Sequence, residues 1–314
     1  MTTALRTTIL FIIIIIYGFD ASAQTAIDSI FVKPDSLILI SDSVIDQRLP
    51  KRSHLEAAVS FQSNDVYLGR KDSAVLPYYI PELSYYHKSG LYATASLNYL
   101  KNATDSRVDL VTLEGGYIFT TGKYDGQLSF SKYFYNSQST SVTAEISASA
   151  AYQNSFDLGF IKPTFTGTLN IGRKLDFAGL FGLEHSFYFI DDKLEITPTF
   201  AATASTQNYY NDYYKKRRYT IKRKGQVGQT GIANISGTVL NAGTFKLLDY
   251  EPTIPISYKI GKCTVNFTPI YSIPVHPANI DIQTTKADGT VTDHTRIEKI
   301  SNSFYWTVGL DFLF

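Results

Sequence analysis

Two pairs of histidine and serine have the residue types of a nucleophilic catalytic site. His87 and Ser89 are two residues apart, so on a β-strand both side chains would lie on one face. His185 and Ser186 are adjacent, so on a strand they would face opposite sides. Nucleophilic catalysis also needs a third group that orients the base, and none is evident near His87. We therefore predict no catalytic residue.

The sequence gives equally little support for a metal or cofactor site. The other histidines are isolated from one another: His54, His276 and His294. The single cysteine excludes a disulfide framework and a thiolate metal cluster within the chain. We therefore predict no metal site and no cofactor.

Acidic residues recur on one face of the strands that are predicted below. They are expected to lie at similar depth: Glu82, Glu114, Glu145, Glu184, Asp249 and Glu251. Fewer basic residues share this face, and Lys246 and Lys259 are the candidates. If the face lines a lumen, its acids would favour the passage of cations. The alternative is a polar network in which carboxylates pair with Lys, Arg and Tyr side chains and hold the strands in register.

Positive charge is concentrated in one predicted loop, residues 207–229. Its basic residues are Lys215, Lys216, Arg217, Arg218, Lys222, Arg223 and Lys224, interleaved with tyrosines. Nucleic-acid binding could use such a mixture. The net charge of the whole chain is only +1, however, which argues against a nucleic-acid binder driven by bulk electrostatics. We predict instead that the loop lies over an anionic lipid surface.

The elements that position these residues are predicted to be β-strands. From residue 54 onward, apolar residues recur at every second position, and no convincing segment has the helical period of 3.6 residues. The last segment is the clearest, since large apolar residues from Phe304 to Phe314 alternate with small or polar ones. Tyr and Phe are abundant, with 23 and 20 copies. One face of each strand therefore meets an apolar environment and the other a wet one.

The alternation predicts an all-β fold of about twelve strands. Their approximate bounds are 54–63, 75–87, 91–100, 107–119, 124–135, 141–152, 156–171, 176–190, 194–206, 245–260, 263–275 and 297–314. Long strands, short turns at one end and long loops at the other are typical of a transmembrane antiparallel β-barrel. Prolines within several strands, and a change of phase within 156–171, predict bulges, one of them near Lys162 and Pro163.

The N-terminal residues precede this barrel. Residues 1–23 have the basic start, the apolar run and the small-residue cleavage site of a signal peptide. Residues 24–53 repeat an Asp-Ser-apolar triplet every seven residues, beginning at Asp28. We predict that this leader is flexible, and the alternative is a segment that docks on another protein or adds a strand to it. The barrel would occupy residues 54–314.

The end of the chain resembles the C-terminal assembly signal of Gram-negative outer-membrane β-barrel proteins. That signal places a polar residue, a glycine and two aromatic residues at fixed spacing, and here they are Thr307, Gly309, Phe312 and Phe314. The resemblance implies recognition by the barrel assembly machinery and a location in the outer membrane of a Gram-negative bacterium. The leader would then lie in the periplasm, and the basic loop would lie above lipopolysaccharide.

The leading functional prediction is a porin-like channel or transporter for small solutes. The alternative is a non-conducting outer-membrane protein that has a structural role or binds a periplasmic partner through residues 24–53. Some outer-membrane lipid hydrolases resemble His87 and Ser89 in their His-x-Ser spacing, so lipid hydrolysis is a third possibility. The pair abuts a short turn that we assign to the periplasmic side, which argues against it. We predict contact with outer-membrane lipid and lipopolysaccharide, and no nucleic-acid partner.

Overall fold

The computed structural model describes residues 30–32, 39–41, 52–102, 106–214, 232–286 and 288–314. Within the leader, β1 (Ile30–Val32) and β2 (Leu39–Ser41) pair as an antiparallel hairpin. The predicted signal peptide and the predicted basic residues from Lys215 to Lys224 lie outside the described residues. No helix in the described ranges is long and apolar enough to cross a membrane.

Twelve wall strands form a closed antiparallel barrel, which confirms the predicted fold class. The wall consists of β3 (His54–Gln62), β4 (Tyr78–Tyr86), β5 (Leu91–Lys101), β6 (Ser106–Thr121), β7 (Tyr124–Tyr135), β8 (Ala148–Phe156), β9 (Lys162–Ile171), β10 (Leu175–Glu184) with β11 (Phe187–Phe189), β12 (Leu194–Ile196) with β13 (Thr199–Ser205), β15 (Lys246–Thr253) with β16 (Ile256–Ile260), β17 (Cys263–Pro274) and β20 (Ser303–Leu313). The strands named together are single wall strands with a short interruption. The barrel closes where β20 pairs with both β3 and β17, so that Leu310 lies opposite Val59 and Val265.

Four further elements lie in the connections between wall strands. They are the helix α1 (Asn208–Tyr213) and the strands β14 (Ile232–Val239), β18 (Asn279–Lys286) and β19 (Val291–Ile297). The three strands form a separate antiparallel sheet in the order β14-β18-β19. None of these elements was predicted from the sequence.

Side chains of the wall alternate between an apolar outer face and a polar inner face. On β20, Phe304 and Phe312 are exposed on the outside, whereas Tyr305 and Thr307 are buried inside. The same alternation holds on β4, where Leu83 is 54% exposed and Ser84 is 3% exposed. The predicted two-residue period is therefore the alternation between the outside and the inside of the barrel.

The two ends of the barrel differ in their connections. Residues 87–90, 122–123, 157–161, 190–193 and 261–262 form short turns at one end, which we call the short-turn end. Both ends of the barrel sequence meet there, since the backbone N–H of Phe314 donates to the carbonyl of Leu55 at 2.9 Å. The connections at the other end include residues 63–77, 136–147, 206–245 and 275–302, and we call it the long-connection end.

Two sequence-based expectations about the wall are wrong. β8 runs from Ala148 to Phe156 and not over 141–152, so Val142 and Ile146 are buried residues of a connection and do not face outward. The change of phase within 156–171 is not a bulge at Lys162 and Pro163, because residues 157–161 form a turn between β8 and β9. A run of apolar residues crossing a turn has the same appearance as a bulged strand, so the pattern could not separate the two.

Prolines mark most of the interruptions of the wall. Pro198 separates β12 from β13, and Pro255 separates β15 from β16. The gap is still bridged, because the N–H of Thr197 donates to the carbonyl of Pro255 at 2.9 Å. Pro81 lies within β4, and the pairing of β4 with β5 is interrupted there. A residue without an N–H is tolerated at such breaks since no ladder hydrogen bond is lost.

The main apolar core lies inside the long-connection end. It joins inward wall residues, among them Leu110, Tyr133, Leu180, Ala201 and Leu248, to residues of the connections, among them Tyr67, Leu68, Val142, Ile146, Tyr209, Tyr210, Val239 and Ile280. We call the connection residues 63–77 the inserted loop. The inserted loop, residues 136–147 and α1 with the preceding Gln207 are together called the plug. The barrel is thus filled at this end by its own connections.

Candidate functional site: the lumen and its plug

The inserted loop reaches across the barrel mouth and ends in a tight turn. Tyr67 and Arg70 pair through their backbones, and the turn residues Leu68 and Gly69 have φ values of +50° and +72°. The Tyr67 hydroxyl accepts a hydrogen bond of 3.0 Å from Asn170 on β9. A Cβ atom added at Gly69 would lie 2.4 Å from Cβ of Pro274 on β17. Position 69 requires glycine, because a side chain there would collide with the wall and the left-handed backbone also favours glycine.

Arg70 fixes the inserted loop to the wall from inside. Its guanidinium is fully buried and donates to the carbonyls of Leu68 at 2.8 Å, His276 at 3.1 Å and Leu248 at 3.3 Å. Glu298 lies 3.8 Å from its Nε atom. Such a buried guanidinium needs its carbonyl and carboxylate partners, because an uncompensated buried charge is strongly destabilising.

The helix α1 is held by a carboxylate of the wall. Asp176, at the start of β10, accepts hydrogen bonds from the backbone N–H groups of Asn208 at 2.7 Å and Tyr209 at 2.8 Å. Tyr210 donates its hydroxyl to Glu298, the carboxylate that also faces Arg70. The helix and the inserted loop therefore share one buried acid.

Several buried polar groups of the plug have no hydrogen-bond partner within the described ranges. They include the Tyr209 hydroxyl and both amide atoms of Gln207. Burial raises the pKa of the Tyr209 hydroxyl well above its ordinary value, so this group stays neutral. Each buried unsatisfied group costs about 1–3 kcal/mol. The plug is consequently less stable than an apolar filling of the same volume would be.

The predicted lumen acids lie at different depths in the structure, whereas the sequence suggested a single depth. Glu82 and Glu114 face inward near the middle of their strands, with Glu251 close to that level. Asp249 lies nearer the long-connection end, and Glu184 is the last residue of β10, at the short-turn end. Glu145 is not on a wall strand, because β8 begins only at Ala148.

Glu114 is the centre of a hydrogen-bond network inside the barrel. It accepts from the hydroxyls of Tyr92 at 2.7 Å and Ser131 at 2.6 Å, and Gln127 donates to Tyr92 at 2.7 Å. The Tyr92 ring covers Gly116, where an added Cβ would lie 2.6 Å from a ring carbon. These contacts link β5, β6 and β7, as expected for the polar network that the sequence left open as an alternative.

Charges at the short-turn end are partly paired. Lys162, at the start of β9, lies 3.7 Å from both Asp125 of β7 and Glu184 of β10. The predicted inward bases were Lys246 and Lys259, and Lys162 was missed because its neighbour Pro163 suggested a bulge. Farther toward the long-connection end, the Ser272 hydroxyl donates one bifurcated hydrogen bond to the two carboxylate oxygens of Asp249, and Tyr305 donates to Glu251 at 2.7 Å.

A second acidic group lies on β3, β4 and β20, between the middle of the barrel and the short-turn end. Ala58 is flanked by Glu82 on one side and by Asp311 on the other, and Glu56 precedes it by two residues on the same face. Asn266 donates a hydrogen bond to Asp311. Glu56 and Glu82 are only partly buried, so water reaches this part of the lumen.

The outer face of the wall shows in which environment the protein is stable. Exposed apolar residues surround the barrel on every side, for example Val59, Leu113, Phe130, Phe181 and Phe267, each at least 40% exposed. A closed barrel satisfies its backbone groups internally, and such an apolar belt is stable only in hydrocarbon. The chain is an outer-membrane β-barrel protein. Its short-turn end is periplasmic and its long-connection end is external, as in barrels of this class.

The predicted assembly signal lies on the strand that closes the barrel. Thr307 and Gly309 face inward on β20, whereas Phe312 and Phe314 face outward at the periplasmic end. Phe314 is 71% exposed. Recognition of these residues by the assembly machinery stays a prediction.

Comparisons with known proteins found similarity among solved structures only. No family model and no curated protein matches the chain. Solved structures that resemble it include the NanC porin, which is 10% identical with a TM-score of 0.44, over 82% of this chain and 98% of that one. A bacterial polysaccharide outer-membrane secretin is 10% identical with a TM-score of 0.39, over 84% and 98%. The outer-membrane channel DcaP of Acinetobacter baumannii is 9% identical with a TM-score of 0.31, over 84% and 96%. At such low identity no residue role can be transferred.

The histidine–serine pairs do not form a site of the kind that hydrolysis needs. Nδ1 of His87 lies 2.8 Å from the hydroxyl oxygen of Ser89, in an exposed turn at the periplasmic end. Within the described ranges, no carboxylate hydrogen-bonds to His87. Ser186 lies 2.9 Å from the hydroxyl of Thr197 and does not meet His185. The contact between His87 and Ser89 belongs to the turn itself, because the backbone N–H of Ser89 also donates to Nδ1 of His87, at 3.3 Å.

The tyrosines that precede the basic residues of the 207–229 loop were expected to lie with that loop over a lipid surface, and the structure places them elsewhere. Tyr209, Tyr210 and Tyr213 are buried in the plug and do not lie at a lipid interface. Their stacking includes Tyr210 and Tyr213, with ring centroids 5.7 Å apart. Sequence reasoning missed the inserted loop as well. The segment Tyr67-Leu68-Gly69-Arg70 could have indicated it. Two large apolar residues before a turn glycine are unusual in a long loop that is exposed to water.

Proposed function

We propose that the barrel passes small cationic solutes across the outer membrane, and that the plug closes this path at rest. One observation carries the proposal, namely the excess of acids over bases on the inward face. The acids are Glu56, Glu82, Asp109, Glu114, Asp125, Asp176, Glu184, Glu195, Asp249, Glu251 and Asp311, and the inward bases of the wall are Arg107, Lys162, Lys246 and Lys259. A negative lumen concentrates cations and repels anions.

The construction of the plug supports a gate more than a permanent filling. Its unsatisfied Gln207 and its tip residue Leu68 at positive φ both raise the energy of the closed state. A sequence selected only for stability would replace such groups by apolar ones. The wall strands that hold the plug keep their own ladder of hydrogen bonds, so the plug can leave without opening the barrel.

Planar-bilayer recording of the full chain tests the proposal. We expect brief, cation-preferring openings, and a reversal potential under a salt gradient that follows the cation. The triple variant Glu56→Gln/Glu82→Gln/Asp311→Asn should lower the cation preference, because it removes three neighbouring acids of the lumen, of which Glu56 and Glu82 are partly exposed to water. Asp293→Asn, on the exposed strand β19, is the matched control and should leave the preference unchanged. The proposal would be contradicted by currents that prefer anions, or by a triple variant with the same cation preference as the wild type.

A non-conducting role is the second candidate, and the packing of connections inside the external mouth is the observation that favours it. In that case the leader, with its hairpin β1–β2, would bind a periplasmic partner. Pull-downs with the full chain and with a form lacking residues 24–51 would separate the candidates. A partner that is retained only with the leader, together with absent conductance, would support the second one.

A further inference from the structure

Charged side chains are nearly absent from the lipid-facing wall. Of the outward positions on the described wall strands, only two carry a charge, Lys101 and Lys132. Lys101 is the last residue of β5 and lies at the external rim. Lys132 lies within β7, in a column of exposed apolar residues formed by Leu128, Phe130 and Phe134. A lysine at such a position is costly unless its ammonium reaches a polar partner.

The position of Lys132 directs its ammonium toward the external surface. β7 runs from the periplasmic turn to the external connection 136–147, and Lys132 lies in its external third. Its Nζ atom lies 5.8 Å from the centre of the Phe134 ring, which is two residues closer to the external end. The side chain therefore extends along the wall toward the lipid headgroups, as lysines near an interface do. No carboxylate of the described ranges forms an ion pair with it.

Further positive charge lies beside this position. Lys132 is opposite Ala148 of β8, and Ala148 is opposite Ile171 of β9, so the three residues form one row. Arg173 and Lys174 follow in the short external turn after β9, and both are exposed. Ala148 has a one-carbon side chain and is only 6% exposed, so it does not separate the longer side chains on either side of it. Two strand spacings, about 10 Å, separate β7 from β9, which long basic side chains can bridge from both sides.

We propose that Lys132, together with Arg173 and Lys174, binds the phosphate of an anionic lipid of the outer leaflet. The acyl chains of that lipid would lie along Leu128 and Phe130, which are exposed on the wall on the membrane side of Lys132. The phosphate supplies the negative partner for the Lys132 ammonium. The acyl chains supply an apolar contact with the wall, which a free phosphate ion could not make. This inference does not depend on whether the lumen conducts.

Native mass spectrometry of the full chain in detergent micelles, titrated with bis-phosphorylated lipid A, tests this site. We expect Lys132→Met to weaken binding about fivefold, the effect of one basic residue near an anionic surface. Lys132→Arg should retain binding, because it keeps the charge. Lys259→Met removes a lysine at the periplasmic end and is the matched control, expected to leave binding unchanged. Dephosphorylated lipid A should bind weakly to every form.

Two comparisons decide whether the ligand of Lys132 is a phosphorylated lipid. Equal binding by the wild type and Lys132→Met would overturn the proposal, as would equal binding of phosphorylated and dephosphorylated lipid. Inorganic pyrophosphate as the probe distinguishes the source of the phosphate. If it binds as tightly as the lipid, the site is one for free anions and the lipid assignment is wrong. Since Lys132→Met places an apolar side chain in lipid, loss of folding does not complicate the comparison.

Discussion

Replacing residues 64–76 by a short Gly-Ser linker is expected to give a barrel that conducts steadily in planar bilayers. The inserted loop supplies Tyr67, Leu68 and Arg70 to the core that fills the external mouth, and nothing in the wall ladder depends on it. The open probability should rise by at least about tenfold, since every 1.4 kcal/mol removed from the closed state corresponds to a factor of ten. Single-channel recording measures the change.

The control shortens a connection that lies away from the lumen. Residues 288–290, the exposed turn between β18 and β19, can be replaced in the same way and should leave conductance as in the wild type. Heat-modifiable gel mobility shows that both barrels are folded. A folded variant without residues 64–76 that stays silent would mean that the lumen is closed below the plug, and the channel proposal would then fail.

The substitution Arg70→Met is expected to release the plug while the barrel stays folded. It leaves the Glu298 carboxylate without its cation, and Asp249, whose carboxylate also interacts with Arg70, is affected as well. Breaking a buried pair by removing one partner costs roughly 3–5 kcal/mol. We expect fast hydrogen exchange over residues 64–76 and more frequent channel openings, with unchanged exchange in β6 and β7.

A second variant distinguishes loss of charge balance from loss of packing. Arg70→Met combined with Glu298→Gln removes both charges, so part of the protection of residues 64–76 should return. Arg296→Met, on the exposed strand β19, is the control and should have no effect. Uniform loss of protection throughout the barrel in Arg70→Met would show that Arg70 stabilises the wall and not the plug.

The strands of the wall were predictable because the alternation of apolar and polar residues along a strand reflects whether each side chain faces outward or inward. β7 was predicted with its observed bounds, 124–135, since Leu128, Phe130 and Phe134 alternate with Gln127, Ser129 and Ser131. The interruptions at Pro198 and Pro255 were also visible in the sequence as prolines within strands. β8 was misplaced because Val142, Ala144 and Ile146 continue the alternation of the strand that follows them, although they lie in a connection that packs inside the mouth.

The candidate site was only partly predictable. The inward direction of Glu82, Glu114, Glu184, Asp249 and Glu251 follows from the period of two, but their depth does not. Depth depends on the tilt and stagger of twelve strands, which are properties of the closed sheet. Lys132 was visible in the sequence as a charge in an apolar column, but only the closed barrel shows that this column faces lipid.

The sequence by itself determined the class of the protein, its membrane location and the polarity of the two faces of its wall. These properties are local, because each residue of a strand reports whether its own side chain meets lipid or the interior. Only the tertiary structure decided that connections of the chain fill the external mouth. This filling joins Arg70 to Leu248, His276 and Glu298, residues that are far apart in the sequence and are brought together only when the barrel has formed.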